Sequence, residues 1–130
     1  MADRRQELDR LAREFLDAFN RNDLDAVMAF FTDDAVYEEM NGRRDVGREA
    51  IRAAFEPQFN GEHGRLSFSE DDTFVDAEAG KVMSSWTLEV ATDTRTTTLR
   101  GLDLLVFAGD RICLKQTYAK AAKPLYLAHA

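Results

Sequence analysis

Two acidic side chains in apolar surroundings are the strongest candidates for chemistry in this sequence. Glu39 follows a short segment that resembles a strand, and Asp103 lies between Leu102 and Leu104 in a longer apolar one. An acid in apolar surroundings is unfavourable unless its carboxyl is hydrogen-bonded, protonated or used in a reaction. Two such acids in one site are a common means of proton transfer near neutral pH. We therefore treat Glu39 and Asp103 as candidate catalytic residues.

Each candidate also has a purely structural interpretation. Glu39 follows Glu38 near a strand end, where a solvated glutamate is common. Asp103 is equally consistent with a structural acid that ties down a loop or accepts a hydrogen bond from an arginine or tryptophan. The alternation of a strand places Glu39 on the same face as Ala35 and Tyr37, so its role depends on whether that face lines a cavity.

Two periodicities in the sequence predict the elements that would position these residues. Apolar residues at helical spacing predict helices over residues 3–20, 24–31 and 48–59. Alternating residues predict strands over 35–40, around 66–68, and over 81–92, 96–107 and 111–121. Helices followed by an antiparallel meander predict one α+β domain over residues 1–130, with three helices packed on one face of a curved, mainly antiparallel sheet. The tail, residues 123–130, is predicted to lie over a neighbouring surface.

Composition excludes several classes of partner. The formal net charge of −7 disfavours nucleic acid and anionic membrane surfaces, which would repel the protein. A single cysteine, Cys113, permits no internal disulfide and suits a reducing compartment. No secretory signal or membrane-length apolar run is visible, so a cytoplasmic location is expected. No motif for a metal, a phosphate group or another cofactor is present, and none is predicted.

Three segments carry a resemblance to a known superfamily: Asn22–Ala35, Gly47–Ile51 and Arg100–Ile112. Together with the order of elements, they resemble the cone-shaped fold of nuclear transport factor 2, the SnoaL-like polyketide cyclases and the ketosteroid isomerases. The resemblance covers nearly the whole chain and implies that fold. It implies less about activity, because the fold hosts isomerases, cyclases, dehydratases, hydrolases and non-catalytic binding proteins.

The resemblance to ketosteroid isomerases also implies roles for individual residues. Glu39 matches their general base, which is usually an aspartate, and Asp103 matches the protonated acid that donates a hydrogen bond to the oxyanion. The oxyanion tyrosine of these enzymes falls at Phe15, which cannot donate a hydrogen bond. Tyr37 or Tyr118 is left as a possible replacement.

A mostly apolar cavity between the helices and the sheet is predicted to bind a small hydrophobic ligand. The candidate binding residues are Phe15, Tyr37, Phe55, Phe59, Trp86 and Tyr118. Trp86 and the three phenylalanines among them are expected to be core residues first and cavity walls second. Gln116 and Tyr118 share one face of the last strand, either in the cavity or on a dimer surface. Arg100 and Lys115 are predicted to be surface charges.

Two functions of different classes are compatible with these residues. The first is a cofactor-independent isomerase or cyclase, in which Glu39 removes a proton next to a carbonyl and neutral Asp103 stabilises the enolate oxygen. The second is a non-catalytic ligand-binding or dimeric interaction module, favoured by Phe15 and by the absence of an acid from residues 111–121. In either case, one uncovered sheet face predicts a homodimer.

Overall fold

The computed structural model describes residues 3–120, and the predicted tail segment 123–130 lies outside them. The helices are α1 (Arg4–Asn20), α2 (Leu24–Ala29) and α3 (Arg48–Phe59). The strands are β1 (Phe31–Glu38), β2 (Arg44–Val46), β3 (Arg65–Asp76), β4 (Lys81–Ala91), β5 (Thr96–Ala108) and β6 (Arg111–Ala119). The predicted α+β architecture, with three helices and a mainly antiparallel sheet, is confirmed.

The first two helices begin at aspartate caps. The Asp3 carboxylate accepts a hydrogen bond from the Gln6 N–H at 2.8 Å, and that of Asp23 accepts one from the Ala26 N–H at 3.0 Å. These caps satisfy backbone donors that have no partner within the helix. One face of α1 is buried against the sheet, through Leu8, Leu11, Ala12, Phe15, Ala18 and Phe19.

The strands form one curved, open sheet in the order β2–β1–β6–β5–β4–β3. The pair β1–β6 is parallel, and the other neighbours are antiparallel. The helices pack on one side, called here the inner face, and the opposite side is the outer face. The limits of several elements differ from the sequence prediction. Helix α2 ends at Ala29, β1 begins at Phe31, which pairs with Ile112, and β3 extends to Asp76. The short strand β2 is additional.

A β-bulge in β6 determines which of its side chains lie on the inner face. Phe107 of β5 pairs with Ile112, but the preceding Val106 pairs with Leu114. Cys113 is therefore an extra residue without a partner on β5. One extra residue reverses the alternation of side chains for the remainder of the strand.

The reversed alternation corrects the predicted surface position of Lys115. Beyond the bulge, Lys115 and Thr117 lie on the inner face, where both are buried. Gln116 and Tyr118 lie on the outer face, and the Gln116 amide donates a hydrogen bond to Glu38 at 2.9 Å. The exposed fraction of Lys115 is only 4%.

Candidate functional site

A cavity of about 570 Å³ lies between α1, α3 and the inner face of the sheet. This volume lies within the range of small-molecule sites. Apolar side chains form most of its walls, including Leu16, Phe19, Phe55, Leu66, Phe68 and Leu88. Polar and charged side chains also line it, among them Tyr37, Glu39, Arg43, Asp103, Lys115 and Thr117. Such a surface suits an apolar ligand that carries a few polar atoms.

Five of the eight candidate residues line this cavity: Tyr37, Glu39, Phe55, Trp86 and Asp103. The structure therefore brings together the two acids that the sequence separates by more than sixty positions. The remaining candidates, Phe15, Phe59 and Tyr118, do not line it.

The three excluded residues have different positions. Phe15 lies in the core, with its ring centroid 5.1 Å from that of Phe19 and 5.6 Å from that of Phe31. Phe59, the last residue of α3, packs against Phe19 at a centroid distance of 5.5 Å and is not part of the cavity lining. Tyr118 lies on the outer face and is 53% exposed, because the bulge turns it away from the helices. The structure thus places none of the three on the wall of this cavity.

Asp103 accepts a hydrogen bond from each of three buried side chains. Its Oδ1 accepts from the Lys115 ammonium at 3.1 Å and from the Thr117 hydroxyl at 2.6 Å, and its Oδ2 accepts from the Trp86 indole N–H at 3.1 Å. We call these four residues the Asp103 cluster. The resemblance implied that a protonated Asp103 donates to a ligand. In the structure each of these partners donates to Asp103, which is the opposite arrangement.

The pairing of the central strands explains how the Asp103 cluster forms. Asp103 lies directly opposite Thr117 on β6, and Trp86 of β4 lies opposite Gly101. A Cβ atom at Gly101 would lie 2.5 Å from Cη2 of the indole ring. The absence of a side chain at Gly101 therefore makes room for the ring, whose N–H reaches the carboxylate two residues further along β5.

Lys115 places a buried positive charge beside the aromatic wall of the cavity. Its Nζ lies 4.3 Å from the ring centroid of Tyr37 and 5.6 Å from that of Phe55, within the range of cation–π attraction. Burial lowers the pKa of Lys115, but the charge of Asp103 and the hydrogen bonds of the ammonium outweigh burial and raise this pKa above its ordinary value. Lys115 is therefore a fixed cation at neutral pH.

Among the tyrosines of residues 3–120, Tyr37 lines the cavity. Its ring stacks on Phe55, with a centroid distance of 4.9 Å and an interplanar angle of 28°. Burial raises the pKa of the Tyr37 hydroxyl, Lys115 opposes this, and the charges of Asp103 and Glu39 add to the rise. The hydroxyl thus retains its proton at neutral pH and can donate a hydrogen bond.

Glu39 lies just beyond β1, on the same face as Tyr37, and its side chain is 22% exposed. Burial raises the pKa of Glu39 to about 7, and a side-chain hydrogen bond with Asp45 and the charge of Asp45 add to this rise. The charges of Arg43 and Lys115 oppose it. A carboxyl with a pKa near neutrality can both accept and return a proton at physiological pH.

Sequence reasoning missed four polar residues of this region: Arg43, Asp45, Lys115 and Thr117. For two of them, Arg43 and Asp45, the sequence contains a signal. Asn41-Gly42 indicates a turn, and a hairpin around it pairs Tyr37 with Asp45 on the inner face. Lys115 and Thr117 depend on the bulge, for which the sequence gives no comparable signal.

Two kinds of feature are absent from residues 3–120. No group of three or more histidine, cysteine or acidic side chains there is arranged to hold a metal ion. No helix in that range is both long and apolar enough to cross a membrane. His63 lines the cavity, whereas His129 lies outside the described residues.

Comparison with models of protein families identifies the family of this chain. A family model described as a SnoaL-like domain matches residues 12–114. The chain belongs to the SnoaL-like domain family. No curated protein matches the chain. The predicted membership of the SnoaL-like and nuclear transport factor 2-like superfamily is thus confirmed.

Solved structures share the fold at low sequence identity. An NTF2-like protein of unknown function from Mesorhizobium loti has 22% identity and a TM-score of 0.76, over 93% of this chain and 97% of that one. SalBIII, an epoxide hydrolase/cyclase-like enzyme in pyran ring formation in the polyether salinomycin, has 18% identity and a TM-score of 0.78, over 88% and 92% of the two chains. A Mycobacterium tuberculosis protein in complex with estradiol-17β-hemisuccinate has 19% identity and a TM-score of 0.74, over 86% and 92%.

Proposed function

We propose that the protein binds a small, mostly apolar carbonyl compound in the cavity and catalyses proton transfer on it without a cofactor. The observation that carries the proposal is Glu39, a carboxyl with a pKa of about 7 on the wall of an apolar cavity. A group with this pKa is partly ionised at neutral pH. It can therefore act as a general base and then, once protonated, as a general acid.

In the proposed reaction on a β,γ-unsaturated ketone, ionised Glu39 removes a proton from the carbon next to the carbonyl. The electrons of that C–H bond form a carbon–carbon double bond, and the π electrons of the carbonyl move to its oxygen, which gives a dienolate. The Tyr37 hydroxyl donates a hydrogen bond to the resulting enolate oxygen, and the nearby Lys115 ammonium adds electrostatic stabilisation. Protonated Glu39 then returns the proton to another carbon, which completes an isomerisation. Asp103 acts as a positioning residue, because it holds Lys115 in place.

Two proteins of the same fold support this class of ligand. One was solved with estradiol-17β-hemisuccinate, a largely apolar molecule with polar ends. The other is described as an epoxide hydrolase/cyclase-like enzyme in polyether ring formation. At their low identity the likeness establishes only the fold, so for this chain the ligand class remains part of the proposal.

The test is the rate of isomerisation of small β,γ-unsaturated ketones, followed by the ultraviolet absorbance of the conjugated product. We expect Glu39→Gln to lower kcat about a hundredfold or more, because it removes a positioned base. Glu38→Gln is the matched control, since Glu38 bonds to Gln116 on the outer face. For the natural protein, kcat/KM should rise with pH through about 7 as Glu39 ionises. Unchanged turnover by Glu39→Gln would refute the proposal.

A non-catalytic binding module is the second candidate function. The Asp103 cluster favours it, because Asp103 and Lys115 form an ion pair at 3.1 Å and neither charge needs a reacting substrate as its partner. Trp86 is the one tryptophan of the chain and lines the cavity, so its fluorescence reports binding. Ligands that quench Trp86 equally in the natural protein and in Glu39→Gln, with turnover in neither, would identify a binding module.

We also propose that the protein forms a homodimer through the outer face of the sheet. Leu104 of β5 and Tyr118 of β6 are exposed large side chains on this face, and Phe74 of β3 is exposed as well. Apolar surface of this kind commonly marks an interface between protein chains. A second copy of the chain would cover it symmetrically.

A further inference from the structure

Asp45 is a buried acid beside the cavity that the proposed reaction does not use. Its side chain is 3% exposed. Its Oδ1 accepts a hydrogen bond from Arg43 Nε at 3.1 Å, whereas its Oδ2 is buried and receives no hydrogen bond from a donor among residues 3–120. A buried carboxylate oxygen without a donor is unfavourable. This arrangement becomes favourable if a neighbouring group supplies a proton to Oδ2.

The hairpin formed by β1 and β2 identifies Glu39 as that neighbour. Tyr37 lies directly opposite Asp45, and the Glu39 N–H donates to the Arg43 carbonyl at 2.8 Å. Glu39 and Asp45 are therefore diagonal neighbours on the same face of the hairpin, within reach of one another. Once Glu39 is protonated, its carboxyl can donate to Asp45, and this hydrogen bond contributes to the raised pKa of Glu39. Arg43 Nε lies 3.7 Å from Glu39 Oε2 and so contacts both acids.

The charges around Glu39 favour a state in which Glu39 and Asp45 together hold one proton over a state in which both are ionised. Arg43 comes from the hairpin and has a largely exposed side chain, so solvent screens its charge. Lys115, from β6, is already paired with Asp103, and Tyr37 is neutral at neutral pH. The residues with which α3 lines the cavity are uncharged: Ala53, Ala54, Phe55, Pro57 and Gln58. His63 follows them in the next loop. Full ionisation of both acids would thus place two negative charges together in a partly dry site.

We propose that Glu39 and Asp45 share a single proton at neutral pH, and that Asp45 positions the Glu39 carboxyl and stabilises its protonated form. The catalytic meaning of this pair rests on the proposed function, because the shared proton is the one that Glu39 would return to the substrate. The pair itself is a property of the ligand-free protein. The titration of Glu39 should therefore depend on the Asp45 side chain.

The test is a pH titration of the ligand-free protein by NMR, with 13C-labelled carboxyl groups. In the natural protein, the carboxyl carbon of Glu39 should titrate around pH 7, and the carboxyl carbon of Asp45 should respond in that same step, because its hydrogen-bonded neighbour loses a proton there. In Asp45→Asn, the neutral amide removes the like charge and can donate a hydrogen bond to ionised Glu39. The proton affinity of Glu39 should therefore fall at least tenfold, and its titration should move to lower pH. Asp34→Asn, at an exposed acid of β1, is the matched control and should leave Glu39 unchanged.

Folding stability gives a second readout with a definite sign. The pKa of Glu39 is higher in the folded protein, about 7, than its ordinary value of 4.5. The folded state therefore binds the proton more tightly, and stability decreases as the pH rises between these two values. Asp45→Asn should reduce this decrease, measured by urea unfolding at pH 5 and pH 8.

Two results would overturn the proposal. One is an unchanged Glu39 titration in Asp45→Asn, and the other is a natural protein in which the Asp45 carboxyl carbon does not respond while Glu39 titrates. The second measurement needs no variant, so it decides the question even if Asp45→Asn does not fold. Full turnover by Glu39→Gln would refute the proposed function but would leave both titration results standing.

Discussion

Replacing Lys115 by methionine tests the buried ion pair directly. Methionine fills much of the space of the lysine stem but removes its charge, and the Asp103 carboxylate then keeps only the donors of Trp86 and Thr117. The Lys115 ammonium and Asp103 Oδ1 are 3.1 Å apart in a site where both side chains are largely buried. Breaking such a pair by removing one partner costs about 3–5 kcal/mol. For a chain of this size, that corresponds to a fall in melting temperature of roughly 10–20 °C.

The assay is urea unfolding at pH 7, with Lys81→Met as the matched control. Lys81 is an exposed lysine of β4, and its replacement should change the free energy of unfolding by less than about 0.5 kcal/mol. Adding Asp103→Asn to Lys115→Met should recover part of the loss, because it removes the unpaired charge and keeps an acceptor for Trp86. The reasoning is refuted if Lys115→Met costs less than about 1 kcal/mol, or if Asp103→Asn brings no recovery.

The remaining predictions concern the inner and outer faces of the central strands. Gly101→Ala should lower the free energy of unfolding by about 1–3 kcal/mol and shift the emission of Trp86, because the new Cβ would lie 2.5 Å from the indole ring. An unchanged melting temperature and emission spectrum would contradict this. In sedimentation velocity, the natural protein should be a dimer, and Leu104→Glu should convert it to a monomer by placing a charge on the outer face. A natural protein that sediments as a monomer at micromolar concentration would disprove the dimer.

The helices were predictable from sequence because their signal is local. The spacing of apolar residues predicted helices over 3–20 and 48–59, and the structure has Arg4–Asn20 and Arg48–Phe59. Strand limits depend on partners elsewhere in the chain and were less accurate. Phe31 belongs to a strand because its backbone pairs with β6, which the local sequence does not encode. The short strand β2 was missed although Asn41-Gly42 indicates the turn that joins it to β1.

The candidate site was predictable only in strands whose side chains alternate regularly between the two faces of the sheet. Tyr37 and Glu39 share a face of the β1 hairpin, and this face does line the cavity. Asp103 was also expected near the cavity, and its buried position agrees with its apolar neighbours. Lys115 was expected at the surface, and Tyr118 either in the cavity or on a dimer surface. Without the bulge, a two-residue turn at Gly109-Asp110 would place Lys115 on the outer face and Tyr118 on the inner face. The bulge reverses both positions.

The bulge at Cys113 also changes the chemistry that the cavity can perform. Without it, Gln116 rather than Lys115 would lie on the inner face, and Asp103 would have no cation beside it. A neutral, hydrogen-bond-donating Asp103 would then be the simplest way to bury that acid. With Lys115 in place, Asp103 can remain an acceptor, and the donor role for an enolate oxygen falls to Tyr37 and to the lysine charge. A role transferred from a resembling family therefore depends on strand register as much as on residue identity.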